Sequence, residues 1–180
     1  MALFNNKYRI ETTRLKNWDY GSNAAYFVTI CTNERFHFFE KIENDEMILN
    51  DIGMIVHHEW LQTPIIRPDM NLTLGEFAVM PNHFHGIICI GENKNNSGRE
   101  GMHPLSMENK NKFGRQSKNL GAIIGGFKST ITIQAHKIDP SFGWQERYHD
   151  HIIRNGKSYY RIQQYIINNP ANWKIDKFYS

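Results

Sequence analysis

The sequence predicts an α+β fold built on an antiparallel sheet, and three observations carry that expectation. Apolar stretches switch between strand and helix periodicity in the order β-α-β-β-α-β-α along 180 residues. Two of the strand-like runs meet at Pro81-Asn82, a hairpin signal. No internal repeat or second core interrupts the pattern, so residues 1–180 read as one sandwich of ordinary domain size.

Residues 1–24 are polar and aperiodic, which predicts an irregular N-terminal arm. Residues 26–32 (YFVTICT) are β-branched and aromatic, a strand. Over residues 49–61, Ile52, Ile55, Val56 and Trp60 make a helical stripe that Pro64 stops. Residues 72–79 and 84–90 are the hairpin strands. Residues 91–119 are rich in Asn, Lys, Gly and Ser and too long for an ordinary connection, so they read as a mobile functional loop or a locally disordered one. From Leu120 to about His136, Ile123, Ile124, Phe127, Ile131 and Ala135 recur at helical spacing. Residues 144–153 read as a strand. Ser158 is the expected N-cap of a last helix through Ile167, ended by Pro170.

Composition narrows the function. The chain is 40% hydrophobic and 22% charged, which excludes collagenous and wholly disordered classes. No apolar run reaches the ~18 residues that span a bilayer, and MALFNNKYRI lacks a stretch of signal-peptide length, so a cytoplasmic protein is expected. Cys31 and Cys89 each lie in an apolar strand-like run, as reduced buried thiols do. Net charge is +3 and the pI about 8.8, a mild basic bias. Aromatics reach 13% and occur inside basic segments such as WQERYHDHIIR and YYRIQQY. That mixture suits a stacking and phosphate grip on single-stranded nucleic acid, or an aromatic core with basic side chains snorkelling around it.

The segment MPNHFHGII holds the sharpest chemistry. On a strand, His83 and His85 point to the same face, where two neutral imidazoles can bind one divalent cation or simply form hydrogen bonds at a strand end. A turn at Pro81-Asn82 is read as placing Phe77 and Val79 on the histidine face and Glu76 away from it, so a third ligand must come from elsewhere. On the last helix, Tyr165 and Asn169 are one turn apart and flank the apolar stripe of Tyr159, Ile162 and Ile166. A phenol and an amide oxygen can therefore approach the pair, although Asn169 precedes Pro170 and belongs at the helix's frayed end. His149-Asp150-His151 is a second His-X-His, able to supply ligands or a general acid or base. His57 and His58 read as surface and core respectively, and not as a site.

In order, the pieces RLKNWDY, YFVTICT, MPNHFHGII, LGAIIGGFKST, WQERYHDHIIR and YIINNP resemble the REP-associated tyrosine transposases, relatives of the insertion-sequence 200/605 transposases in the HUH single-strand nuclease superfamily. The likeness runs from about residue 14 to 172, with residues 91–119 unmatched. It implies a ferredoxin-like antiparallel sheet flanked by helices, and a Mg²⁺ or Mn²⁺ ion held by His83, His85 and Asn169. Tyr165 would be the nucleophile that forms a 5′-phosphotyrosine, with His151 as a candidate base. It further implies binding of single-stranded or hairpin DNA, with Lys128 and Arg154 on phosphates and Arg14 and Lys16 in an arm that reads sequence. Such enzymes act as monomers or homodimers, away from membranes, and lie on the nucleoid when DNA-bound. Trp18 would stack on a base or pack. The histidine-triad nucleotide hydrolases need a third histidine where Ile87 stands. A domesticated copy that binds hairpins without cutting them is the alternative.

Overall fold

The computed structural model describes residues 14–15, 18–97 and 117–179. Strand β1 (Ala24–Cys31) is followed by a short hairpin, β2 (Glu40–Glu43) and β3 (Glu46–Leu49), and by helix α1 (Asp51–Gln62). Then come β4 (Leu72–Met80), β5 (His83–Ile90), α2 (Leu120–Ala135), β6 (His149–Ile153) and α3 (Gly156–Ile167). Four strands form one antiparallel sheet in the order β4-β5-β1-β6. With β2 and β3 set aside, this is the β-α-β-β-α-β order of a ferredoxin-like fold, followed by α3.

The sheet is the middle layer. One face packs Val28, Ile30, Phe84 and Ile88 against Trp60 of α1 and Phe127 of α2, the main core. The other face packs Ile87 and Ile153 against Ile162 and Ile166 of α3. β5 is central and covered on both faces, which is why its sequence is a nearly unbroken apolar run with two histidines in it.

Several expectations need correction. The two-residue turn pairs Met80 with His83, Val79 with Phe84 and Ala78 with His85. Ala78 therefore shares the histidine face, while Phe77 and Val79 join Phe84 in the opposite core. The assumed register had the wrong parity, and a one-residue slip exchanges faces. By the same alternation Glu76, two residues before Ala78, faces α3, where Gln163 approaches it at 3.5 Å, and a bulge between Leu74 and Phe77 returns Leu74 to the main core.

The β2–β3 hairpin escaped the reading because its strands are four residues each and β2 is mostly charged. Asn44 and Asp45, at φ 51° and 64°, make the left-handed two-residue turn that marks it. The last helix is capped by Asn155, whose side chain accepts from the Ser158 backbone N–H at 2.8 Å; Ser158 is inside the helix. Of residues 144–153, only the last five form β6, with a single bridge between Thr32 and Trp144 before it. His57 is the inward member of its pair, packed on Phe77 at 5.1 Å, and His58 is the exposed one. Part of the expected arm is packed: Tyr20 is buried and the Trp18 Nε1–H donates to the Tyr26 hydroxyl at 3.1 Å, so Trp18 serves packing. Residues 1–13, 16 and 17 of that arm, and residues 98–116 of the long loop, lie outside the described residues.

Candidate active site

β5 brings His83 and His85 out on the α3 side of the sheet, with ring centroids 4.4 Å apart. Both are buried. Burial pushes the His83 imidazole down to about 3. Burial, with the neighbouring His83 as a second cause, also holds His85 well below the usual histidine range. Both rings are therefore neutral at neutral pH, the form that can donate a lone pair to a metal. The Asn82 amide donates to the Phe178 carbonyl at 2.9 Å, which turns its Oδ1 toward His83 Nδ1, also at 2.9 Å. Nδ1 must then carry the His83 proton, leaving the Nε2 lone pair free.

α3 brings the other half. Its apolar stripe seats it on the sheet, and Tyr165, 39% exposed, extends its hydroxyl to 3.2 Å from His85 Nε2. Phe27 of β1 supports both rings, stacked on His85 at 5.2 Å and edge-on to Tyr165 at 6.1 Å. The chain leaves the helix after Ile167. The Asn169 backbone N–H still donates to Ile166 O at 3.2 Å, so the side chain folds inward and is buried. Pro170 ends the helix without carrying Asn169 away.

Two buried acceptors here lack partners: His83 Nε2 and Asn169 Oδ1. Such atoms each cost about 1–3 kcal/mol when left unsatisfied, and the Asn169 side chain neighbours His83. Lone pairs gathered without a donor fit a cation. Among the described residues no group of three His, Cys, Asp or Glu is arranged for a metal; His83, His85 and Asn169 could hold one only with an amide oxygen as the third donor, a ligand type that suits Mg²⁺ or Mn²⁺.

The segment after α3 closes over the site, and sequence reasoning missed it. Asp176 Oδ2 accepts from the Tyr165 hydroxyl at 3.1 Å and from Asn169 Nδ2 at 2.9 Å. The Phe178 ring lies 4.6 Å from that of His83 and 5.8 Å from that of His85, with the Arg35 guanidinium 5.4 Å over its face. Because the single phenol proton goes to Asp176, His85 Nε2 donates to the phenol oxygen and its Nδ1 accepts from Thr29 Oγ1 at 2.8 Å. A hydroxyl can reverse its role, so Thr29 also permits the tautomer that frees Nε2. Desolvation, then the Asp176 charge, raise the Tyr165 phenol above its usual range, which keeps it protonated in this arrangement. Only the aromatic and basic composition of NWKIDKFY hinted at this segment.

The remaining predicted residues lie apart from this cluster. His151 is exposed on β6, paired across the strand with Phe27; the phenol bonds to His85 and Asp176 instead. Arg154 is exposed just beyond β6. Arg14 binds the Tyr148 hydroxyl and pairs with Asp150 at 3.7 Å, with its guanidinium over the Tyr20 and Tyr148 rings. Lys128 donates to the Gln145 carbonyl at 2.5 Å, and burial lowers its ammonium below the usual range. Lys16 lies outside the described residues.

Comparison with known proteins adds two findings. The chain is 38% identical over 167 residues to a Haemophilus influenzae protein described as uncharacterized, covering 92% of this chain and 91% of the relative. The structure of a REP-associated tyrosine transposase bound to a REP hairpin superposes with a TM-score of 0.58 at 18% identity, covering 93% of this chain and 77% of that one. No protein-family model matches.

Proposed function

Because the chain belongs to the family of that Haemophilus influenzae protein and has the fold of a REP-associated tyrosine transposase, we propose that it is a single-tyrosine HUH enzyme. It cuts and rejoins single-stranded DNA at hairpins, with a divalent metal, through a covalent 5′-phosphotyrosine. The observation that carries this reading is the convergence of the Tyr165 hydroxyl on His85, at 3.2 Å, beside the unpartnered His83 Nε2 and Asn169 Oδ1.

His83, His85 and Asn169 would hold Mg²⁺ or Mn²⁺, which would supply Lewis-acid polarisation of the scissile phosphate. Tyr165 Oη forms the new bond to phosphorus, and the 3′ oxygen leaves with the electron pair of the broken ester bond. The phenol proton already points at Asp176 Oδ2, so Asp176 is placed to take it ahead of His151. Phe27 and His85 fix the direction of the tyrosine ring, confining the nucleophile to one approach. The phosphodiester exchanged into the tyrosyl link keeps its energy, so a second 3′ hydroxyl can reverse the step and join strands. Phe178 must give way before a phosphate reaches the histidines, since its ring packs on both of theirs.

A labelled DNA hairpin with single-stranded flanks, incubated with Mn²⁺ or Mg²⁺, tests this. A protein–DNA adduct that survives denaturant and vanishes in Tyr165→Phe is the expected result, with hairpin affinity unchanged within about twofold because the phenol oxygen is not a phosphate anchor. Hairpin binding without an adduct under either metal identifies a binding module instead.

A further inference from the structure

Each histidine of the site keeps one ring nitrogen on a neighbour, and the two neighbours differ in kind. His83 Nδ1 lies 2.9 Å from Asn82 Oδ1, and the Asn82 amide nitrogen is spent on the Phe178 carbonyl at 2.9 Å. An amide oxygen only accepts, so His83 holds its proton on Nδ1 and leaves Nε2 bare. His85 Nδ1 lies 2.8 Å from Thr29 Oγ1, and a hydroxyl either donates or accepts. The β1–β5 register builds this contact by pairing Thr29 directly with His85. Thr29 is buried, a polar side chain in a strand position that valine would fill with the same shape.

The other nitrogen of His85 has two claimants. Nε2 stands 3.2 Å from the Tyr165 hydroxyl oxygen, whose own proton goes to Asp176 Oδ2 at 3.1 Å. Nε2–H therefore donates to the phenol. A divalent ion needs the lone pair of that same atom, and one nitrogen cannot serve both. Nor can the ring turn over to offer a different atom. It is 1% exposed, with the rings of His83, Phe27, Tyr165 and Phe178 at 4.4, 5.2, 5.3 and 5.8 Å. What remains is a move of the proton from one nitrogen to the other.

We propose that Thr29 is a positioning residue that lets His85 exchange tautomers, so that ion binding and the His85–Tyr165 hydrogen bond exclude each other. Without the ion, Thr29 donates to Nδ1 and Nε2–H holds the phenol. With the ion, Nε2 gives its proton to water and Nδ1 takes one from water, so the ring stays neutral. Thr29 then accepts from Nδ1–H, its own proton turning toward β6, where His149 is its cross-strand partner. The phenol loses its donor from His85 and keeps its proton on Asp176. Loading the site thereby frees the nucleophile from the histidine, while Asn82, which cannot reverse, keeps His83 ready throughout. The proposal deepens the reading of His83, His85 and Asn169 as a metal site and rests on it.

Two measurements on the full chain test it. Nitrogen-15 shifts of the His85 ring, identified by their loss in His85→Gln, should show Nε2–H in the metal-free protein. They should show Nδ1–H once Cd²⁺, a diamagnetic stand-in for Mn²⁺, is bound. In Mn²⁺ calorimetry, Tyr165→Phe should bind about threefold tighter or more, because the competing hydrogen bond is gone. Thr29→Val should bind about tenfold weaker or more, and Thr29→Ser, which restores the hydroxyl, should return to within about twofold of wild type. Nδ1–H in the metal-free wild type, an equal or weaker Mn²⁺ affinity in Tyr165→Phe, or a Thr29→Val affinity equal to wild type overturns the exchange and leaves the metal site standing. Failure of the wild type to bind Mn²⁺ overturns the metal site and the exchange together.

Discussion

Tyr165 keeps its one proton on Asp176 while accepting from His85, so a carboxylate and an imidazole decide how good a nucleophile the phenol is. Removing the Asp176 charge relieves one of the two main causes that raise the phenol. Asp176→Asn should therefore lower the Tyr165 pKa, read as tyrosinate absorbance during a base titration after subtracting the Tyr165→Phe curve; an unchanged curve would deny Asp176 that influence. Asn169→Ala removes the unpartnered Oδ1 and should weaken Mn²⁺ binding by at least about tenfold in calorimetry. Asn168→Ala, one residue earlier and exposed, should bind Mn²⁺ normally, and equal affinities in the two variants would remove Asn169 from the ligand set. Residue types and periodicity made His83, His85, Tyr165 and Asn169 legible in the sequence. Asp176 was not legible, because it arrives through a non-helical turn after Pro170 that no periodic rule describes.

Among the elements, α3 carries the reactive group, and its placement depends on a cap and a close approach. The Asn155 side chain satisfies the Ser158 N–H at 2.8 Å; Asn155→Ala should cost about 1 kcal/mol in urea unfolding. On β5, a Cβ at Gly86 would lie 2.8 Å from both Phe84 Cζ and Trp60 Cζ2, inside the packed aromatic core. Gly86→Ala should destabilise by about 1–3 kcal/mol, and an unchanged unfolding midpoint would show that those rings can yield. The strands and helices themselves were readable from apolar spacing. The parity of the β4–β5 register was not, since a turn of two residues and one of three predict opposite faces for Phe77 and Ala78. Nor was the β2–β3 hairpin, whose four-residue strands EKIE and EMIL are too short to carry an apolar alternation.

For the whole molecule, two neutral histidines sealed between the sheet and the C-terminal segment make stability depend on pH. Their folded-state pKa values lie below the ordinary 6.5, with His83 at about 3. Above pH 6.5 neither the folded nor the unfolded chain protonates them, and their contribution is constant. As pH falls from 6.5 toward 3, the unfolded chain binds protons that the folded one refuses, so stability drops. The slope is about 1.4 kcal/mol per pH unit for each histidine. Urea unfolding between pH 7 and pH 4.5 with chelator present should show this loss, and His83→Gln combined with His85→Gln should make it shallower; parallel slopes would mean that other groups govern it. Among the described residues no helix is long and apolar enough to cross a membrane.

Alone, the sequence determined the order of the four sheet strands and three helices, the common face of His83 and His85, and the pairing of Tyr165 with Asn169. Each of these follows from a local period, two on a strand and 3.6 on a helix. Tertiary structure alone decided that the two halves meet, 80 residues apart in the chain, and that Asp176 and Phe178 fold back over them. It also decided that Thr29 stands against His85. Contacts across such separations are set by how layers pack and where the chain turns, and neither leaves a periodic trace in the residues that end up touching.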